Sequence, residues 1–428
     1  MEPGVRGQPL GPALRARLSL LMFLQYFMFG SWFMTLGTYM SRGLGFDDII
    51  GTAYGTQGIA AILSTLAIGA LADRQGTPRT LLALLSAASG ALLIGLAQVG
   101  SSRELFLAVV TLHFLCFVPT IPLANALVLG CLSDRSGQFP GIRVCGTVGW
   151  IVGGTLIGAI PNAAGTPLPL KIAGAAGILM GIYALSLPAA KTQDSAHDKA
   201  QRPKQGWRDL LGISMLVRLK DRNFALFIAG MMVILVPLSF YNSYSNTFLS
   251  EVGLHADLLD LRLEATAIQT LGQVAELLLL LSLPLFLRRF GIKGVLVMGI
   301  FAWSLRSGLF ALGYHPGIAQ SALLLTGIIL HGICYDFFFV AGQIYVDETV
   351  SPSERVLAQS FLVTLNMGLG VIIGSNIANA VYQSHALGDG KHDWPAIWTA
   401  PMLTALLAGA LFLVLFRAPA SKRQPAQG

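Results

Sequence analysis

The sequence predicts an all-α membrane protein, with twelve transmembrane helices in two pseudo-symmetric six-helix bundles. Three observations carry this prediction. Of 428 residues, 54% are apolar and only 11% charged, against about 25% charged in soluble domains. The apolar residues gather in runs long enough for a bilayer core, which takes about 20 residues per helix. These runs fall into two sets of six, separated by a polar, basic stretch. A mean hydropathy of +0.67 excludes an ordinary cytosolic enzyme. Disorder is excluded by the apolar content. Barrel strands alternate apolar and polar residues in short segments, and runs such as Leu403–Phe416 show no such alternation.

The first seventeen residues are polar and basic, with Arg6, Arg15 and Arg17. The apolar run after them reaches Met40, too long for the core of a cleavable signal peptide. It reads as the first transmembrane helix. The apolar segments of the first set lie at about 18–40, 51–72, 80–99, 105–132, 142–161 and 169–189. Those of the second lie at about 223–250, 264–287, 294–314, 318–346, 355–383 and 395–417. The expected domains are therefore an N-terminal bundle (1–189), a basic linker (190–222) and a C-terminal bundle with a short tail (223–428). The linker carries eight Lys or Arg, and its second part, from Trp207, reads as an amphipathic helix lying on the membrane surface.

Charge sets the orientation. The N-terminus, the second-to-third loop, the linker, the eighth-to-ninth loop and the tail hold most of the Lys and Arg. The opposite loops hold only Arg42, Arg103, Lys171, Arg262 and Lys391. Basic loops stay in the cytoplasm, so both termini and the linker are expected there. The net charge of +7 is thereby a topology signal, and no nucleic-acid partner is expected. Cys116, Cys131, Cys145 and Cys334 lie in apolar segments without CxxC spacing, so neither a metal site nor a disulfide framework is suggested. No cofactor is expected. The halves also echo each other. Gly69-Ala-Leu-Ala-Asp73-Arg74-Gln-Gly76-Thr-Pro-Arg79 follows the second segment, and Arg288-Arg289-Phe-Gly291-Ile-Lys293 follows the eighth. Two linked bundles with repeated loops match a transporter plan.

Charge inside a bilayer is costly and usually marks function. Glu276 lies near the middle of the eighth segment and Asp336 near the middle of the tenth, with no Lys or Arg beside either in sequence. A carboxylate in that setting can bind and release a proton within a transport cycle. The competing reading is a structural hydrogen bond or ion pair. Helical spacing supports a pocket. Gln269, Gln273 and Glu276 share one face, as do Arg143, Thr147 and Trp150, then Ser239, Asn242 and Asn246, and finally His331, Tyr335 and Phe339. Hydrogen-bonding groups interleaved with rings suit a ligand that has a flat apolar face and several hydroxyls. The same stripes can also simply tie helices together. Arg306 reads equally as a structural pair or a ligand group, and His113 as a satisfied core histidine. Gly149-x3-Gly153, Gly154-x3-Gly158 and Gly370-x3-Gly374 allow close helix contact in the fifth helix of each half. Asp73, Arg74 and Arg79 read as a helix-end latch or a topology determinant. Asp347, Glu348 and Arg355 are expected to cluster similarly.

Gly69-x3-Asp73-Arg74-x-Gly76 resembles the loop signature of the major facilitator superfamily. More specific are Phe23-Leu-Gln25-Tyr-Phe-Met-Phe-Gly30-Ser31-Trp32, Arg143-Val-Cys-Gly146-Thr147-Val-Gly149-Trp150 and Asn246-Thr247-Phe248-Leu249. Gln273-x2-Glu276, Arg289-Phe-Gly291-Ile-Lys293 and His331-Gly332-x3-Asp336-Phe337-Phe338 agree with them. Together they resemble the bacterial nucleoside:proton symporter family, over residues 16–417. The resemblance implies proton-driven nucleoside uptake across the inner membrane; the expected partners are a nucleoside or similar small polar solute, protons and the lipid bilayer, with a monomer of the major facilitator fold as the expected working unit. It implies a pocket at Arg143, Thr147, Asn242, Gln273, Glu276 and Asp336. The chain departs from the family pattern at Ser239, where a longer amide is expected. It departs also at Trp150 (a smaller aromatic), His331 (a tyrosine) and Tyr335 (a phenylalanine).

The expected function is alternating-access symport of a nucleoside with a proton. Trp150 and Tyr335 would enclose the base. Ser239, Asn242, Gln273, Glu276 and His331 would supply polar contacts, and Arg143 with Thr147 would complete the wall. Asp336 is the first candidate for the coupling proton and Glu276 the second. Symport of a sugar or another small polar solute is the nearest alternative. Drug efflux is disfavoured by the many amides. A transporter-shaped receptor would bind without flux. No phosphate loop, metal cluster or nucleophile–base pair suggests an enzyme.

Overall fold

A computed structural model describes residues 10–72, 78–188, 206–258, 260–351, 354–388 and 390–417. Span 1 is Pro12–Gly30, which continues past a turn as Leu36–Thr38 and a wide, π-helical segment, Tyr39–Leu44. Spans 2 and 3 are Ile50–Ala72 and Pro78–Leu96. Span 4 is Arg103–Phe117 and Thr120–Cys131, broken around Pro119. Spans 5, 6 and 7 are Arg135–Gly158, Leu168–Ser186 and Arg222–Val252. Ala265–Gln269 and Leu271–Leu312 form one long run broken at Gly291, where φ is 65°. At 1.5 Å per residue that run would stretch about 70 Å if straight, more than twice a bilayer core. It therefore holds span 8 before Gly291 and span 9 after it. Span 10 comprises Gln320–Ile329, His331–Tyr335, the π-helical Asp336–Val340 and Ala341–Thr349. Span 11 comprises Arg355–Val363, the π-helical Thr364–Gly370 and Val371–Ser384, and span 12 is Trp394–Leu415.

Local chemistry explains several boundaries. Ser102, Asp134, Asp221 and Asp393 each accept a hydrogen bond from a first-turn backbone N–H of the helix that follows, an N-cap that satisfies an otherwise orphaned donor. Nine helices among the described residues are long and apolar enough to cross a membrane. They contain spans 3 to 12, because one of them carries both span 8 and span 9. Spans 1 and 2 complete the twelve. Leu84, Ile182, Leu281, Leu407 and Val414 point outward, each at least 64% exposed. An apolar exterior is what a lipid solvent requires.

Two features differ from the sequence expectation. The stretch after Gly206 is not one amphipathic α-helix. It forms a short turn, Trp207–Leu210, and a tighter 3-10 segment, Ile213–Lys220, joined at Gly212, where φ is 67°. Gly212 lies so close to span 11 that a Cβ there would come within 2.4 Å of the Phe361 nitrogen. Close docking onto span 11 replaces a free surface helix. Residues 189–205 lie outside the described residues. The second feature is a pair of short hairpins, His255–Leu258 with Leu261–Glu264 and Ala386–Gly388 with Lys391–His392. They connect span 7 to span 8 and span 11 to span 12. Too short to show period-2 patterning, they were invisible in sequence.

The halves meet tightly at the end away from the termini. Thr38 donates to Asn246 Oδ1 at 2.8 Å, and Asn246 donates onward to Thr266 and Gln269 at 2.9 and 2.7 Å. Asn379 donates to the Asp48 carbonyl, and Tyr382 to Asp47, at 2.8 and 3.0 Å. Glycines set the distance between backbones. A Cβ at Gly158 would lie 2.2 Å from Ala267 N, and one at Gly51 would lie 2.3 Å from the Ser375 carbonyl oxygen. Span 5 thus meets span 8, and span 2 meets span 11. These pairings are equivalent under the pseudo-symmetry. Toward the other end a recess of about 460 Å³ lies between the halves, lined by Thr65 of span 2 and by Asp347, Arg355 and Gln359 of the opposite half.

Candidate transport site

Span 10 organises the site. Its pitch changes at Asp336, which opens the π-helical turn Asp336–Val340. An inserted π turn re-aims side chains and is frequent at functional sites. The Asp336 side chain is buried, and neither carboxylate oxygen has a hydrogen-bond partner. Buried polar groups are nearly always paired, so this one is held ready for something else. Glu276 of span 8 lies within electrostatic reach of it. The approach of the two helices depends on Gly332, where a Cβ would stand 2.8 Å from the Glu276 Cα.

Glu276 Oε2 lies 3.5 Å from His331 Nε2. On the far side of the ring, His331 Nδ1 lies 3.0 Å from Nη1 of Arg306 in span 9. Tyr241 of span 7 underlies both. Its ring centre is 3.4 Å from the Arg306 guanidinium carbon and 5.4 Å from the His331 ring. His331, Tyr335 and Phe339 continue as a line of rings at 6.0 and 5.3 Å. Their spacing of four residues is what puts them on one face.

The N-terminal half presents a matching wall. Arg143 of span 5 donates to the Tyr26 hydroxyl at 2.7 Å, with its guanidinium carbon 4.1 Å from that ring's centre. Gly146 makes room, since a Cβ there would meet the Tyr26 ring at 2.7 Å. Thr147 is half-buried on the same face. Trp150, one turn further, packs edge-on against Phe29 and Phe33 at 4.9 and 6.3 Å. The two walls face each other. Tyr335 interacts electrostatically with Glu276 and Asp336 of its own half and with Tyr26 and Arg143 of the other.

A family model described as nucleoside H+ symporter matches residues 13–421. The chain belongs to the nucleoside:proton symporter family. It is therefore a multi-pass membrane transporter of the major facilitator superfamily. It is 33% identical to the putative nucleoside transporter YegT of Escherichia coli K12, over 94% of this chain and 93% of that protein. It is 32% identical to the xanthosine permease of the same organism, over 95% and 96%. The crystal structure of the nucleoside transporter NupG superimposes with a TM-score of 0.83 at 28% identity, over 95% of this chain and all of that one.

The symporter brings together Glu276, His331, Tyr335 and Asp336 from one half, and faces them with Arg143, Thr147 and Trp150 from the other. Gln273 stands one turn before Glu276, and Asn242 one turn before Asn246, both half-buried. Ser239 points elsewhere. Its hydroxyl donates to the Leu235 carbonyl at 2.8 Å, and it packs where a Cβ on Gly374 would touch it. Gln269 does not share the Glu276 face, because the helix breaks at Thr270. Gln269 belongs instead to the closed end, with Asn246 and Ser245. His113 sits between Trp32 and Phe117 with its Nδ1 3.0 Å from the Ser89 hydroxyl.

Asp73 and Arg74 lie outside the described residues. Gly69 falls in span 2, and Arg79 donates to the Leu187 carbonyl at 2.8 Å, joining span 3 to the end of span 6. In the other half Arg355 pairs with Asp347 at 3.5 Å. Glu354 beside them pairs with Arg218 of the linker, which holds its carboxyl down at about 2, helped by hydrogen bonds from Ser351. Sequence reasoning missed Tyr26 and Tyr241, whose aromatic character blends into any apolar span. Arg306 stood out as a mid-span charge, but its histidine partner lies 25 residues away, which no local pattern shows.

Proposed function

We propose that this symporter takes up a nucleoside together with a proton across the inner membrane by alternating access. One observation carries the reading: the buried, unpartnered Asp336 carboxylate lies beside Glu276 at the seam between two walls of rings and polar groups. Trp150 and Tyr335 enclose the base, as flat rings favour offset or edge contacts. Asn242, Gln273, Glu276 and His331 hydrogen-bond the sugar and the base edges. Arg143 and Thr147 complete the polar wall. Ser239 acts at one remove, through the packing of span 7 on span 11. The similarity to a xanthosine permease and to NupG supports a nucleoside as the solute.

Asp336 is the proton carrier in this reading, and Glu276 is the second candidate. Proton uptake removes a bare charge, so the loaded carrier turns without dragging that charge through an apolar region. The basic loops put both termini and the linker in the cytoplasm. The closed end then faces the periplasm, and this conformation opens inward. The working domains are 1–189, 190–222 and 223–428, in a monomer, with Gly69, Asp73, Arg74 and Arg79 as the cytoplasmic latch between conformations. Asp336→Asn tests the coupling. The variant is expected to lose proton-driven accumulation of labelled nucleoside while keeping nucleoside exchange. Full accumulation by Asp336→Asn removes the residue from the coupling role.

A further inference from the structure

Arg306 is buried to 1% exposure in the middle of span 9, and its Nε and Nη2 have no hydrogen-bond partner. A buried cation is expensive unless something in its surroundings answers it. Its Nη1 lies 3.0 Å from His331 Nδ1, and the guanidinium also reaches the Cys334 thiol. A guanidinium has only donors, so Nδ1 must accept. The ring proton then sits on Nε2, the nitrogen that faces Glu276 Oε2 at 3.5 Å. Tyr241 fixes the pair from below, stacked under both. Gly272 lets span 8 approach the base of this side chain, where a Cβ would stand only 3.1 Å from the His331 Cβ.

We propose that Arg306 is a positioning residue for nucleoside binding: by occupying His331 Nδ1 it fixes the Nε2–H tautomer toward Glu276 and bars a second proton from the ring. The inference rests on the nucleoside reading above. Its consequence is directional. Glu276 is left as the acceptor for sugar hydroxyls, and a doubly protonated histidine cannot close over it as an ion pair. The other groups of this cluster are Tyr241 and Tyr335, stacked on the ring, Cys334 against the guanidinium, and Asp336 near Glu276, with Arg143 and Tyr26 reaching Tyr335 across the seam. Among these, only the Arg306 guanidinium bonds to Nδ1.

The test is labelled-nucleoside uptake by Arg306→Met, in the natural background and in a His331→Gln background. Glutamine offers an amide N–H toward Glu276 without needing a tautomer set for it. Arg306→Met is expected to raise KM about tenfold at pH 6 in the natural background, the loss of one hydrogen bond to a charged group. The rise should shrink toward pH 8, because a ring released from Arg306 gains its second proton only on the acid side. In the His331→Gln background the same change should move KM less than about twofold. Equal effects in both backgrounds, or a KM rise with no pH dependence, overturn the proposal. If Arg306→Met does not fold, Arg306→Lys decides. Lysine keeps a donor for Nδ1 and should hold KM within about threefold of the natural protein with no acid-side rise; a folded Lys variant with that rise overturns it. Absence of nucleoside uptake by the natural protein would instead overturn the underlying reading.

Discussion

At the scale of single residues, the site works through what is left unpaired. Asp336 and Arg306 are both buried, yet each keeps polar atoms without a partner. A structural ion pair would have matched them. The structure separates them instead, giving Arg306 to His331 and leaving Asp336 beside Glu276. Arg143 is the counterpart in the other half. Its bond to Tyr26 at 2.7 Å holds the guanidinium over a ring, so Tyr26→Phe removes one charge-assisted hydrogen bond. Such bonds contribute about 1.5–3 kcal/mol. A rise in nucleoside KM of about tenfold is expected, with the maximal rate little changed, and uptake kinetics would check it. The candidate carboxylates were legible in sequence, since a lone acid stands out in an apolar run and is costly to keep there. The contacts of the site's cations were not, since Tyr26, Tyr241 and Arg306 come from three different spans and only packing brings them there.

Between helices, glycine decides how closely the halves meet. Gly149 and Gly153 pack on the backbone of span 1, within one bundle, whereas Gly154 and Gly158 face Thr270 and Ala267 of the other. The two overlapping glycine motifs of span 5 therefore serve two different neighbours. Sequence spacing showed the small faces but not which helix each one met. Gly158→Leu would drive a side chain into the Ala267 backbone and block closure at the end away from the termini. Uptake should fall more than about tenfold, and a cysteine placed at Asn246 should become reachable from outside by a thiol reagent. Gly95→Leu, at a site with nothing within 4 Å, should leave both unchanged. The linker contact behaves differently. Glu354 titrates at about 2, below its ordinary 4.5, so its contribution to docking is complete above pH 4.5 and is lost only as pH falls toward 2. Linker docking is thus expected to be constant between pH 5 and 8, read as energy transfer between dyes on the linker and span 11. A drop across that window would contradict the assigned pairing. Glu354→Gln should loosen the docking at every pH in it.

For the whole molecule, hydropathy alone gave twelve spans, because a bilayer leaves few other ways to bury a backbone. The broken segments escaped it. The interruptions in spans 1, 4, 8, 10 and 11 leave composition unchanged, and the two hairpins are too short to announce themselves. The central claim is that two facing walls join nucleoside movement to proton movement. Reconstituted symporter in liposomes with an acidic exterior and a neutral interior tests it directly. Labelled nucleoside should accumulate inside above its outside concentration, and a protonophore should collapse the excess. Simple equilibration, unaffected by the pH gradient or the protonophore, would contradict the account.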